Sequence, residues 1–158
     1  MPDDPEPEPI TRWVTGRNGG ALWMTATAVA LDGRGVLVLG APGTGKSALA
    51  LSLMAHGARL ISDDGVWLAL SDPPMLERPP QSPDLIEARG IGLLHAGPVV
   101  SDAPLSLVVD LDRAEADRLP PRRLVAIGGR TCPLILGRGQ PTLAPTLVIL
   151  ARHGRAEP

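Results

Sequence analysis

Apolar and polar positions along the chain fall into short runs rather than long helical stripes. "ALWMTATAVALD" (21–32) alternates well enough for a strand, "GRG" (33–35) reads as a tight turn, and "VLVLG" (36–40) is an apolar run suited to a buried strand. Together they predict a hairpin. "KSALALSLMAHG" (46–57) is apolar nearly all round and predicts a helix stopped by Gly57. "ARLISDD" and "GVWLAL" predict strand, turn and strand, and "SDPPMLERPPQSPD" (71–84) predicts a Pro-rich surface loop. "LIEARGIGLLHAGP" (85–98) is an apolar segment punctuated by glycines. "LSLVVDLD" (105–112) predicts a strong strand, and "RRLVAIGGRTCPLILG" (122–137) one or two more. "PTLAPTLVILARHG" (141–154) predicts a final helix, broken early by Pro145. The elements add up to a sheet-rich α/β domain with few helices, without the strand–helix alternation of a doubly wound sheet.

At 158 residues the chain is expected to be one domain with a real core. Its opening, "MPDDPEPEPI", is Pro and acid with little to bury, so residues 1–12 are expected to be a disordered tail. Residues 13–154 then form the domain and 155–158 a short tail. With no Phe or Tyr, the core must be Leu, Val, Ile and Ala. A net charge of −2 supplies no basic field for nucleic acid or for a membrane surface. No apolar run approaches the ~20 residues that span a bilayer. Cys132 is the single cysteine, which excludes an internal disulfide and fits a reducing compartment. The acidic N-terminus is the opposite of a signal peptide, so a cytoplasmic location is expected.

The chemistry begins at "GAPGTGKS". It fits G-x-x-x-x-G-K-[ST] over Gly40, Ala41, Pro42, Gly43, Thr44, Gly45, Lys46 and Ser47, between a predicted strand and a predicted helix. Backbone N–H groups of such a loop converge on phosphates, and the helix presents its positive end to them. Lys46 would reach the β- and γ-phosphates, and the Ser47 hydroxyl would bind Mg²⁺. Fourteen arginines and one lysine make up the basic residues, and that lysine is Lys46. A compact ammonium between phosphates is a task a planar guanidinium performs badly. Asp63 and Asp64 end the next strand, near the loop. Adjacent side chains on a strand point to opposite faces, so at most one aims squarely into the site. Paired acids also serve as plain turn signals, but a phosphoryl-transfer site needs a carboxylate base and a carboxylate for the metal. Asp110, ending "LVVD", is a weaker candidate for a metal-binding strand end.

The run from "VALDGRGVLVLGAPGTGKSALALSLMAHGARLISDD" through "EARGIG" (Glu87 to Gly92) resembles the C-terminal catalytic domain of HPr kinase/phosphorylase, in the short form found in alphaproteobacteria. The likeness spans about residues 21 to 140 and combines the phosphate loop, the double Asp and the Glu-x-Arg-Gly-x-Gly signature. It implies a P-loop-containing, phosphoenolpyruvate-carboxykinase-like fold with a mostly antiparallel or mixed sheet. It also implies an ATP- and Mg²⁺-dependent serine kinase whose protein substrate is the phosphocarrier HPr of the sugar phosphotransferase system. By the same resemblance Asp64 is the acid/base, Glu87 a second Mg²⁺ ligand, Arg89 part of the catalytic segment and Arg118 a phosphate-facing catalytic arginine; a homohexamer is also implied. From the residues alone, a surface salt bridge between Glu87 and Arg89 is the lesser alternative. Two departures bear on phosphorylase activity. Thr25 stands where the family carries a His, and "LILGRGQ" keeps only Gly137 and Arg138 of a basic segment. Two other readings stand beside this one. A small-molecule P-loop kinase of the shikimate or gluconate type needs a parallel five-stranded sheet and an Arg-rich lid, and an ATP-sensing module would barely turn nucleotide over.

Overall fold

A computed structural model describes residues 3–156. Its strands are β1 (Glu8–Pro9), β2 (Gly16–Asn18), β3 (Ala21–Met24), β4 (Thr27–Leu31), β5 (Arg34–Leu39), β6 (Arg59–Ser62), β7 (Val66–Ala69), β8 (Met75–Glu77), β9 (Leu85–Ala88), β10 (Gly92–His95), β11 (Asp102–Asp110), β12 (Leu124–Ile127) and β13 (Arg130–Leu136). The helices are α1 (Lys46–Ala55) and α2 (Leu143–His153), with a 3₁₀ turn at Ile10–Trp13.

The predicted strand over 21–32 is two strands in two different layers. Thr25 and Ala26 break it; β3 pairs with β2 and β7, whereas β4 pairs with β5 and β6. The β4–β5 turn is Asp32–Gly33, one residue earlier than "GRG", and both residues have positive φ (51° and 78°). Asp-Gly suits that two-residue hairpin because its twist requires positive φ at both positions. β11 joins the layers. Its start pairs antiparallel with β8, and after an irregularity at Leu105–Leu107 its end runs parallel between β5 and β13. Among the described residues eleven strands form one mixed sheet, while β9 and β10 form a separate hairpin. The phosphate-loop strand therefore has one antiparallel and one parallel neighbour, unlike the parallel sheet of the small-molecule kinases.

The central strands are buried on both faces. Leu37, Leu39 and Val108 face the β3–β7–β8 layer, together with Met24, Leu68 and Leu76. Val36, Val38 and Val109 point the other way, toward Leu49 and Leu53 of α1 and Leu147 of α2. Alternation along each strand thus feeds two cores, and the apolar run of β5 needs both. α1 ends in a double bond pattern, Gly57 N to the Met54 carbonyl and Ala58 N to the Leu53 carbonyl, with Gly57 at φ 104°. That is the role predicted for Gly57.

Three expectations are corrected. The Pro-rich loop contains β8, whose Leu76 is fully buried. Pro145 does not break α2; it lies in the first turn, where its missing N–H costs no intrahelical bond. The N-terminal tail is ordered at residues 8–12. β1 runs parallel to β12, Ile10 is buried, and Glu8 accepts from Arg113. Residues 1–2 and 157–158 of the two expected tails lie outside the described residues.

Candidate phosphoryl-transfer site

The loop Gly40–Gly45 leaves the end of β5 and turns into α1. Positive φ at Gly43 (86°) and Gly45 (101°) lets it fold back on itself, and Gly45 caps the helix in the left-handed region. A Cβ at Gly40 would lie 2.4 Å from Thr44 Oγ1, so the close crossing of the loop requires glycine there. Thr44 Oγ1 donates to the Ala41 carbonyl at 2.8 Å. Lys46 is buried to 9% exposure, and its Nζ donates to the Gly40 carbonyl at 2.7 Å and the Ala41 carbonyl at 3.3 Å. The ammonium is thus held against the loop backbone by exchangeable carbonyl contacts.

The two aspartates divide. Asp63 turns into the site, accepting from Ser47 Oγ at 2.9 and 3.1 Å and from Thr27 Oγ1 at 2.8 Å. Thr27 is wholly buried at the start of β4. Asp64 is exposed at the turn, in the left-handed region (φ 65°), with no hydrogen bond among the described residues. The turn is pinned from below: Gly65 N donates to the Ala26 carbonyl at 2.8 Å, and a Cβ on Gly65 would come within 2.5 Å of the Trp23 ring. One carboxylate therefore grips the loop hydroxyl while its neighbour stays open.

The end of β11 supplies a contact the sequence did not announce. Asp112 Oδ1 accepts the Ala41 N–H at 2.9 Å, and Asp112 N donates to Asp110 Oδ1 at 2.8 Å. Asp110 itself is buried and faces Arg113 Nε at 2.7 Å. Its strand lies where a metal-binding strand end would, but its carboxylate is committed to a cation. Burial works against the Arg113 charge, yet Asp110 and Glu8 outweigh it and raise its pKa. Arg113 also accepts, through its carbonyl, the N–H of Arg138 at 3.1 Å. Arg138 lines a cleft of about 420 Å³ shared with Thr44, Gly45 and Ala48.

Glu87 and Arg89 sit on the β9–β10 hairpin, both exposed and without an ion pair between them or to other described residues. Ile86 between them and the chain before is buried against α1, which fixes the hairpin beside the loop helix. Arg78 steadies its approach, donating to the Ile61 carbonyl at 2.8 Å and to the Ser82 carbonyl and Asp84 at 2.6 Å. Arg118 is placed elsewhere. It lines a second cavity whose lining includes none of the loop residues, nor Asp63, Asp64, Glu87 or Arg89. The connection from Asp112 to Pro121 directs it there, and its expected role facing the phosphates is not supported by this position.

The donor set fits Mg²⁺. Ser47 and Asp63 offer hard oxygen atoms, and no group of three or more His, Cys, Asp or Glu among the described residues could cage a metal alone. That suits an ion that keeps waters and is shared with phosphates.

A family model described as HPr Serine kinase C-terminal domain matches residues 21–124. Among curated proteins, the HPr kinase/phosphorylase of Listeria monocytogenes serotype 4a (strain HCC23) is 33% identical over 117 residues, covering 69% of this chain and 38% of that protein. The HPr kinase/phosphorylase of Bordetella petrii is 39% identical over 100 residues, covering 56% and 32%. The chain thus spans less than two fifths of the length of these relatives. Among solved structures, the Hpr(Ser) kinase/phosphatase from Coxiella burnetii superposes with a TM-score of 0.69 at 27% identity, over 82% of this chain and 93% of that one.

Proposed function

Given that the chain belongs to the HPr serine kinase C-terminal domain family, we propose that it transfers the γ-phosphoryl group of Mg²⁺-bound ATP to a serine hydroxyl of the phosphocarrier HPr in the cytoplasm. The observation that carries this is the Ser47–Asp63 hydrogen bond, which ties the double-Asp turn to the phosphate loop and leaves Asp64 free beside it. The loop backbone and the α1 N-terminus receive the phosphates, and Lys46 exchanges its carbonyl partners for phosphate oxygens. Ser47, with Asp63 behind it, and Glu87 would hold Mg²⁺, which would supply neutralisation of the phosphate charge. Asp64 takes the proton from the serine hydroxyl as its oxygen bonds to the γ-phosphorus and the bond to ADP breaks. Arg89 and the loop-facing Arg138 supply cations for the transferring group. Homo-oligomerisation, hexameric by family resemblance, belongs to the same proposal. The resemblance extends the proposal to the reverse, phosphorylase reaction, at an efficiency lowered by Thr25 in place of histidine.

Purified protein with labelled ATP, Mg²⁺ and the host's HPr should label a serine. Asp64→Asn should lower transfer by about 10²–10⁴-fold, the usual weight of a general base, while nucleotide affinity changes little. Tight ATP binding without transfer would instead support the sensing module.

A further inference from the structure

Arg118 lines a cavity of about 640 Å³, and no part of the candidate phosphate site lines it. It opens between α2, the start of β5, the middle of β11 and the second half of β13. Its floor is apolar, made by Val36, Leu107, Ile135, Leu147 and Leu150. Its rim carries Arg34, Arg118, Arg123 and Arg155 beside Glu115 and Asp117.

The charges are not evenly matched. Arg123 neutralises Glu115 through two hydrogen bonds, at 2.7 and 3.0 Å. Arg34 and Arg155 donate to backbone carbonyls, of Ala151 and of Pro120, which hold the guanidinium groups in place without cancelling their charge. Arg118 makes no hydrogen bond or ion pair with the described residues and is exposed at the mouth. A volume within the ~300–1,000 Å³ of small-molecule sites, an apolar floor and a few convergent polar groups are the marks of a ligand pocket.

We propose that this cleft binds a small amphipathic anion, an apolar chain or ring bearing one carboxylate or phosphate head. The body lies on the Val36–Leu107–Leu147 floor, and the head pairs with Arg118, with Arg34 and Arg155 adding to the field. A planar guanidinium with no partner among the described residues, as at Arg118, pairs with either head group through charge-assisted bonds. A neutral body of the same size would gain the floor but not the rim, and a cationic one would be repelled.

The test is calorimetric titration of the full chain with decanoate, decyl phosphate, decanol and decyltrimethylammonium. Both anions should bind, decanol at least tenfold more weakly, and the cation not at all. The stronger of the two anions identifies the head group. Arg118→Ala should weaken the anions about tenfold, equivalent to ~1.4 kcal/mol, and leave decanol unchanged. Thr146→Trp, on the exposed side of α2 where it lines the cleft, should abolish binding by filling it, with melting temperature kept as the check on folding. Amide shifts on binding should centre on Leu143–His153. Equal affinity for decanol and decanoate, indifference to both substitutions, or absence of binding overturns the proposal. So does self-association that either substitution disrupts, which would make the cleft a contact between copies.

Discussion

Replacing Asp63 by Ala tests whether the two adjacent carboxylates do different work. Asp63 accepts hydrogen bonds from Thr27 and Ser47, and Thr27 has no exposure at all. A hydrogen bond to a charged group contributes ~1.5–3 kcal/mol, and a buried donor left unpaired loses most of it. Ser47 is only partly buried and can turn to water, so its loss costs less. The sum should be about 2–3 kcal/mol, or roughly 5–10 °C in melting temperature for a chain of this size. Thr27→Val should cost about 1–2 kcal/mol by itself, and in the double variant the two losses should overlap by ~1–2 kcal/mol. Asp64→Asn should lie within about ±0.5 kcal/mol of the parent, since the side chain is exposed and Asn accepts a left-handed backbone. Urea unfolding followed by tryptophan fluorescence reads all four, because Trp23 packs directly over the turn at Gly65. Strict additivity of Thr27→Val and Asp63→Ala, or an Asp64→Asn as unstable as Asp63→Ala, would refute the division.

Further outcomes are expected from other parts of the molecule. Gly65→Ala should destabilise by about 1–3 kcal/mol, because a Cβ there meets the Trp23 ring at 2.5 Å; an unchanged urea midpoint would show that the ring moves freely. Cys132 is 4% exposed and its thiol is pushed up to about 12 by burial, so Ellman's reagent at pH 8 should label it only as fast as the chain opens. Immediate native labelling would contradict that. The hydrogen bond from Arg123 holds the Glu115 carboxyl below its ordinary value near 4.5. Its stabilisation is therefore complete above that value and lost as pH falls through the depressed one. Glu115→Gln should cost about 1 kcal/mol at pH 7 and nothing in strong acid; an equal cost at both ends would place the effect in packing.

The strand–glycine turn–helix unit was legible because everything it needs is local: apolar strand, glycines, lysine and helix follow one another from Val36 to Ala55. The sheet-rich α/β class was legible for the same reason, from run lengths. Which aspartate enters the site was not. Alternation says only that Asp63 and Asp64 diverge, and the choice is made by Thr27, a residue 36 positions earlier on a neighbouring strand. The break at Thr25–Ala26 was hidden because both halves alternate correctly, each for its own layer. β8 was masked by prolines around three paired residues. The cavity that Arg118 lines was not legible either, because resemblance carries residue order, while position depends on the path of the loop after Asp112.

One more consequence lies in the polar relay that begins at Glu8. It accepts from Arg113, which holds Asp110, which holds the backbone of Asp112, whose carboxylate fastens Ala41. Four hydrogen bonds thus connect a residue of the acidic N-terminal segment to the loop at Ala41. Anyone trimming that leader to tidy the protein for crystallisation would leave Arg113 and Asp110 to balance each other alone. The change would surface as a loosened loop at Ala41 rather than as a ragged end.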